Sequence, residues 1–134
     1  MCKLLQQYGP LVGRILLSVI FIVAGAKKIF GFAGTAGYMA SKGLPMTEVL
    51  LVLTIIIELG GGLMILLGWQ ARCAATAIFL FLIPVTLIFH PAWADPGEFN
   101  SFFKNLAIMG GMMYIMVHGS GPLSLGGDHC AKKE

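Results

Sequence analysis

Long apolar stretches separated by short polar clusters set the rhythm of this chain. Four runs stand out, at 11–30, 49–67, 73–89 and 102–117. The first is interrupted by Arg14, Ser18, Lys27 and Lys28, the second by Thr54 and Glu58. The third carries Thr76, Pro84 and Thr86, and the fourth Lys104 and Asn105. Each run approaches the ~20 residues that a helix needs to cross a ~30 Å hydrocarbon core. None alternates with a period of two, and lipid admits only helices or closed barrels, so strands are disfavoured. The pattern predicts an all-α integral membrane four-helix bundle, one domain over 1–134 with a polar tail at 119–134. A further stretch, 32–42, is set to form a short interfacial helix that stops at Gly43 and Pro45.

Composition narrows the field. Of the 134 residues 57% are apolar and 11% charged, against about 25% charged in an ordinary soluble domain. So apolar a chain is not disordered, and its length does not hold two soluble domains. The net charge of +3 is too small and too scattered for a nucleic-acid surface. Cys2, Cys73 and Cys130 show neither CxxC nor metal spacing, so a disulfide-built scaffold and dithiol chemistry are both disfavoured. The first run lacks a small-residue cleavage site and three more follow, so it reads as a span and not as a signal peptide. Trp69 and Trp93 fall where interfacial aromatic anchors belong. Basic residues are nearly balanced between the two sides. Arg14 and the cysteines tip the choice towards both termini in the cytoplasm, where free thiols stay reduced.

The polar residues inside the spans carry the functional signal. Glu58 stands at the centre of its span, where a charge costs about 2.5–3.5 kcal/mol even on the mild insertion scale. It must be protonated, paired, or set against a wet cavity. Arg14 is the expected partner, reaching inward from one side to form a buried polar pair or to line a cavity. Lys28, His90, Lys104 and Asn105 fall near the opposite edge and form a candidate rim for a polar or anionic small molecule or a quinone head group. Blander roles stand beside these. Lysines near helix ends snorkel to lipid phosphates, a histidine caps a helix, and an asparagine glues helices together. Gly25, Gly60, Gly61, Gly62, Gly110 and Gly111 are expected to let helices approach closely. No metal site is expected, since no second His or Cys stands at ligand spacing from His90. Nucleophile-elbow, phosphate-loop and dinucleotide motifs are absent, so no catalytic residue is assigned.

Several segments in order resemble the DoxX family. These are Gly13-Arg14-Ile15-Leu16-Leu17, Phe21-Ile22-Val23-Ala24-Gly25-Ala26-Lys27-Lys28, Glu58-Leu59-Gly60-Gly61-Gly62, Lys104-Asn105-Leu106-Ala107 and Gly119-Ser120-Gly121-Pro122-Leu123-Ser124-Leu125. The resemblance implies a four-helix bacterial inner-membrane protein. It also implies kinship with a small membrane subunit associated with thiosulfate:quinone oxidoreduction, and with thiol-stress complexes. The expected function is a non-catalytic subunit or scaffold of such a redox system, not a stand-alone enzyme, with a quinone or bound lipid as its only candidate cofactor. Its expected partners are the bilayer and a redox-complex protein, with homo-oligomerisation open and no nucleic acid. The alternative is a small-solute or proton-linked transporter that uses Glu58 in a central cavity.

Overall fold

The computed structural model describes residues 1–126, so the remainder of the expected tail, with Asp128, His129 and Cys130, lies outside the described residues. Helix α1 runs Cys2–Phe30, α2 Phe32–Ser41, α3 Thr47–Ile55, α4 Gly61–Leu67, α5 Ala71–Phe89 and α6 Phe99–His118. A π-helical turn, Ile56–Gly60, joins α3 to α4 in one continuous rod, and a 3-10 turn at Pro96–Glu98 leads into α6. No strand occurs among the described residues. Three helices are long and apolar enough to cross a membrane: Cys2–Phe30, Thr47–Leu67 and Ala71–Phe89. Helix α6 has 20 residues, enough to span, but Asn100, Ser101, Lys104 and Asn105 make its first turns more polar. The fourth crossing therefore stays a proposal.

The observed boundaries widen the expected ones. Helix α1 starts at Cys2 instead of residue 11 and carries Pro10 within it. Proline there removes one backbone hydrogen bond, and the helix continues through it although Gly9 and Gly13 stand close by. The second span begins at Thr47, the third at Ala71, and the fourth runs from Phe99 to His118. The short helix at 32–42 forms as Phe32–Ser41, and Gly43 follows it with φ +80°. Gly68 closes α4 with φ +70° and a left-handed backbone, the conformation a side chain resists. Arg14 and Ser124 also crowd it, so a Cβ there would collide with both.

Helix α1 packs along α3, the π turn and α4; α4 then packs on α5, and α5 on α6. The core is small and apolar, built on Phe21, Ile65, Ala75, Ile78, Leu82 and Met112. Outside it, large side chains face outward: Phe30 is 91% exposed, Leu16 71% and Leu80 59%. Such continuous apolar surface is unfavourable in water at about 25 cal/mol per Å², and is the expected face of a protein solvated by acyl chains.

The glycines divide into two sets. A Cβ on Gly25 would lie 3.0–3.3 Å from Leu59, one on Gly61 2.9 Å from Ile78, and one on Gly62 3.0 Å from Ile22. Gly111 meets Leu17 at 3.1 Å. At these four positions a Cβ would press on a neighbouring helix. Gly60 and Gly110 face open space, which corrects the expectation for both. Successive helical residues point about 100° apart, so three consecutive glycines do not all meet a neighbour.

Cys2 is a free, exposed thiol, whereas Cys73 is disulfide-bonded. The argument from reduced thiols for cytoplasmic termini therefore does not extend to Cys73.

Candidate functional site

A cavity of about 310 Å³ opens where the ends of α1, α5 and α6 meet α2 and the second span. Its apolar wall comes from Phe21, Phe81, Leu82, Val85, Phe89 and Ile108. Its polar lining comes from different elements: Lys28 of α1, Glu58 of the π turn, His90 after α5, and Lys104 with Asn105 of α6. Thr35, Tyr38 and Met39 of α2 complete it, so α2 stands across the cavity like a cover.

The centre of the site is an ion pair. Lys28 Nζ donates to Glu58 Oε2 at 2.8 Å, with the lysine side chain 26% exposed and the carboxylate 9%. Helix stagger explains how they meet. The close contact of Gly25 with Leu59 sets the turn bearing Glu58 level with the last turns of α1. Lys28 lies one turn further, about 4.5 Å along the axis, within reach of a long side chain. The rod that carries Glu58 starts earlier at its other end, where α3 runs beside α2. Central in its own span, Glu58 thus lies near the end of its neighbour. The π turn adds a local feature, since wide turns of this kind occur mostly as single bulges at functional positions.

This geometry corrects two expectations. Arg14 does not pair with Glu58, and Lys28 turns inward instead of snorkelling to lipid. Arg14 is 2% exposed, and its guanidinium donates to the carbonyls of Ile65 at 3.2 Å and Leu66 at 3.0 Å, and to that of Leu123. Those carbonyls end α4 two turns beyond Glu58, about 11 Å away along the helix. A cation there satisfies helix-end acceptors and complements the helix dipole. The segment after α6 docks beside it through a Leu125 N–H bond to the Leu67 carbonyl at 3.0 Å.

Among the rim residues, three different settings appear. His90 Nδ1 lies 2.6 Å from Glu98 Oε2, and this hydrogen bond holds the Glu98 carboxyl below its ordinary range. Lys42 adds a weaker attraction to Glu98 and sits 5.6 Å from the Tyr38 ring centroid. The Tyr38 ring in turn meets Phe89 at 5.7 Å, tying α2 to α5. Asn105 is buried and donates to Thr86 Oγ1 at 3.1 Å, so it locks α5 to α6 while lining the cavity. Lys104 is exposed and makes no hydrogen bond or ion pair with any described residue. No group of three or more His, Cys, Asp or Glu side chains converges among the described residues.

Sequence reasoning missed Thr86, Tyr38 and Glu98. Thr86 left a trace as a polar interruption of the third run, and Glu98 as an acid in the loop after His90. Tyr38 and Lys42 share a face of α2 at the i, i+4 spacing, a signal that became legible once α2 was placed across the cavity.

Comparison with known proteins covers most of the chain. The DoxX family pattern matches residues 9–91, a segment that holds Lys28, Glu58 and His90. The chain is 40% identical over 123 residues to Inner membrane protein YqjF of Escherichia coli (strain K12), covering 92% of this chain and 93% of that protein. Identity to Inner membrane protein YphA of the same organism is 32% over 120 residues, 86% of each chain. The Surfeit locus protein 4 homolog of Schizosaccharomyces pombe (strain 972) is 26% identical over 127 residues, but this chain spans only 37% of its length. No solved structure matches. With the family pattern running through three membrane-length helices, and two relatives matched over most of their length, the chain belongs to the DoxX family of inner membrane proteins.

Proposed function

We propose that this protein is a non-catalytic binding subunit of a membrane-associated redox system, quinone-linked or thiol-stress, and that its cavity holds a small amphipathic molecule. One observation carries the reading: five polar side chains from different elements converge on a single apolar-walled cavity near one end of the helices. Pockets of roughly 300–1,000 Å³ with a few convergent polar groups are the usual form of small-molecule sites. An ion pair inside the span is also costly to keep unless it serves a ligand or a pathway. The link to redox chemistry comes from the family resemblance. In this reading the four long helices cross the bacterial inner membrane with both termini in the cytoplasm.

The test is native mass spectrometry of protein released in mild detergent. A copurifying small molecule and partner protein are expected for the parent chain. The small molecule should be lost from Glu58→Gln while the helical circular dichroism is retained. Parent protein that carries neither overturns the proposal. A transporter is the second reading, and the π turn favours it, because a wide turn bearing a carboxylate is a natural place for a helix to flex. Unchanged proton and solute flux for Glu58→Gln in liposomes removes that reading.

A further inference from the structure

We infer that the cavity takes a free amphipathic carboxylate, its head between Lys104 and His90 and its chain running inward along α5 and α6. The inference rests on the cavity reading above and adds the charge and size of the occupant.

Polarity is graded with depth. Lys28, His90 and Lys104 lie at helix ends, whereas Leu82 lies two turns inward from Phe89 and Ile108 one turn inward from Lys104. A bound molecule must therefore be polar at the mouth and apolar below.

Hydrogen-bonding capacity at the mouth is unequal. The hydroxyls of Thr35 and Thr54 are spent on the carbonyls of Gly31 and Leu50. The Asn105 amide donates to Thr86, and Glu58 Oε2 is held by Lys28. Lys104 keeps all of its N–H donors free of described residues, and Lys28 has spent only one of its own.

The charges agree with this. Among the charged side chains that line the cavity, the cations Lys28 and Lys104 face the single anion Glu58, an excess of one positive charge. An ammonium head would enter between two lysines. A neutral head would leave the Lys104 charge unanswered beside a low-dielectric wall, where a carboxylate gains a charge-assisted hydrogen bond. Size then separates the sources. At about 310 Å³ the cavity stands at the low end of small-molecule pockets, which suits a medium-chain acid better than a two-chain phospholipid.

Equilibrium binding of octanoate, octanol and octylamine to the full chain in lipid nanodiscs, with empty nanodiscs subtracted, tests the inference. Octanoate is expected to bind about tenfold tighter than octanol, with octylamine weakest. Lys104→Met should remove most of that preference and leave octanol unchanged, and Lys104→Arg should restore it. Three results overturn the inference while leaving the cavity reading in place: equal binding of octanoate and octanol, an undiminished preference in Lys104→Met, or a short-chain ubiquinone that outcompetes octanoate. Protein of full helical circular dichroism that binds none of these molecules overturns both.

Discussion

The two ends of the helix assembly solve the same problem in opposite ways. Each places a long cationic side chain of α1 among apolar neighbours. At one end the two terminal nitrogens of Arg14 are held by backbone carbonyls of α4 and of the segment after α6, while its buried Nε–H has no partner among the described residues. At the other, Lys28 meets a side-chain carboxylate and retains donors that face a cavity. A guanidinium whose terminal nitrogens are taken by main-chain oxygens mainly fixes structure, even though Arg14 also borders a second cavity of about 540 Å³. An ammonium paired with one carboxylate oxygen leaves both partners capable of further bonds. The contrast assigns stability to the Arg14 end and binding to the Lys28 end.

The largest expected effect comes from breaking the Arg14 end. Arg14→Met takes the donor from the part-buried carbonyls of Leu66 and Leu123 and one of two donors from that of Ile65, and hydrogen bonds from a charged donor contribute about 1.5–3 kcal/mol each. The variant should lose about 3 kcal/mol or more, measured by thermal unfolding in detergent, while ligand binding by the protein that remains folded is unaltered. An Arg14→Met protein as stable as its parent would erase the distinction between the two ends.

A smaller effect is expected at the open end, and its pattern matters more than its size. Lys28→Met alone leaves Glu58 without its partner, whereas Lys28→Met combined with Glu58→Gln removes both charges together. The double variant should be the more stable by about 1–2 kcal/mol in unfolding measurements, because an uncompensated buried charge costs more than a missing pair. Additive losses would instead mean that the pair is not coupled.

The smallest effect lies at the mouth. The Glu98 carboxyl is depressed, first by its hydrogen bond with His90, so it favours folding while ionised. That contribution is complete above the ordinary carboxylate value of about 4.3 and is lost as pH falls through the lowered folded value. Melting temperatures of Glu98→Gln and the parent should therefore differ at neutral pH and converge in acid. A gap that widens in acid would reverse the assignment.

Much of the helical layout could be read from the chain, because lipid demands long apolar helices and leaves few other solutions. The spans at 49–67 and 73–89 and the short helix at 32–42 recur with ends moved by a few residues. Depth was harder to read. Counting from the ends of each run assumes that all helices begin at one level, whereas α3 starts beside α2, beyond the end of α1. That stagger exchanged Arg14 for Lys28 as the partner of Glu58. The convergence of Lys28, His90, Lys104 and Asn105 was legible as a shared edge, but the buried bond of Asn105 to Thr86 depends on how α5 and α6 rotate about their axes. Facing directions were likewise hidden in Gly60-Gly61-Gly62, where only the neighbours decide which glycine is crowded.

The π turn at Ile56–Gly60 has a consequence for comparing sequences. A wide turn accommodates one surplus residue relative to an unbroken α-helix, so the residues before and after it keep separate registers. Relatives one residue shorter through this segment would carry a different side chain at the cavity even if every flanking position were identical. Length through this single turn therefore bears on whether a chain presents an acid to the cavity.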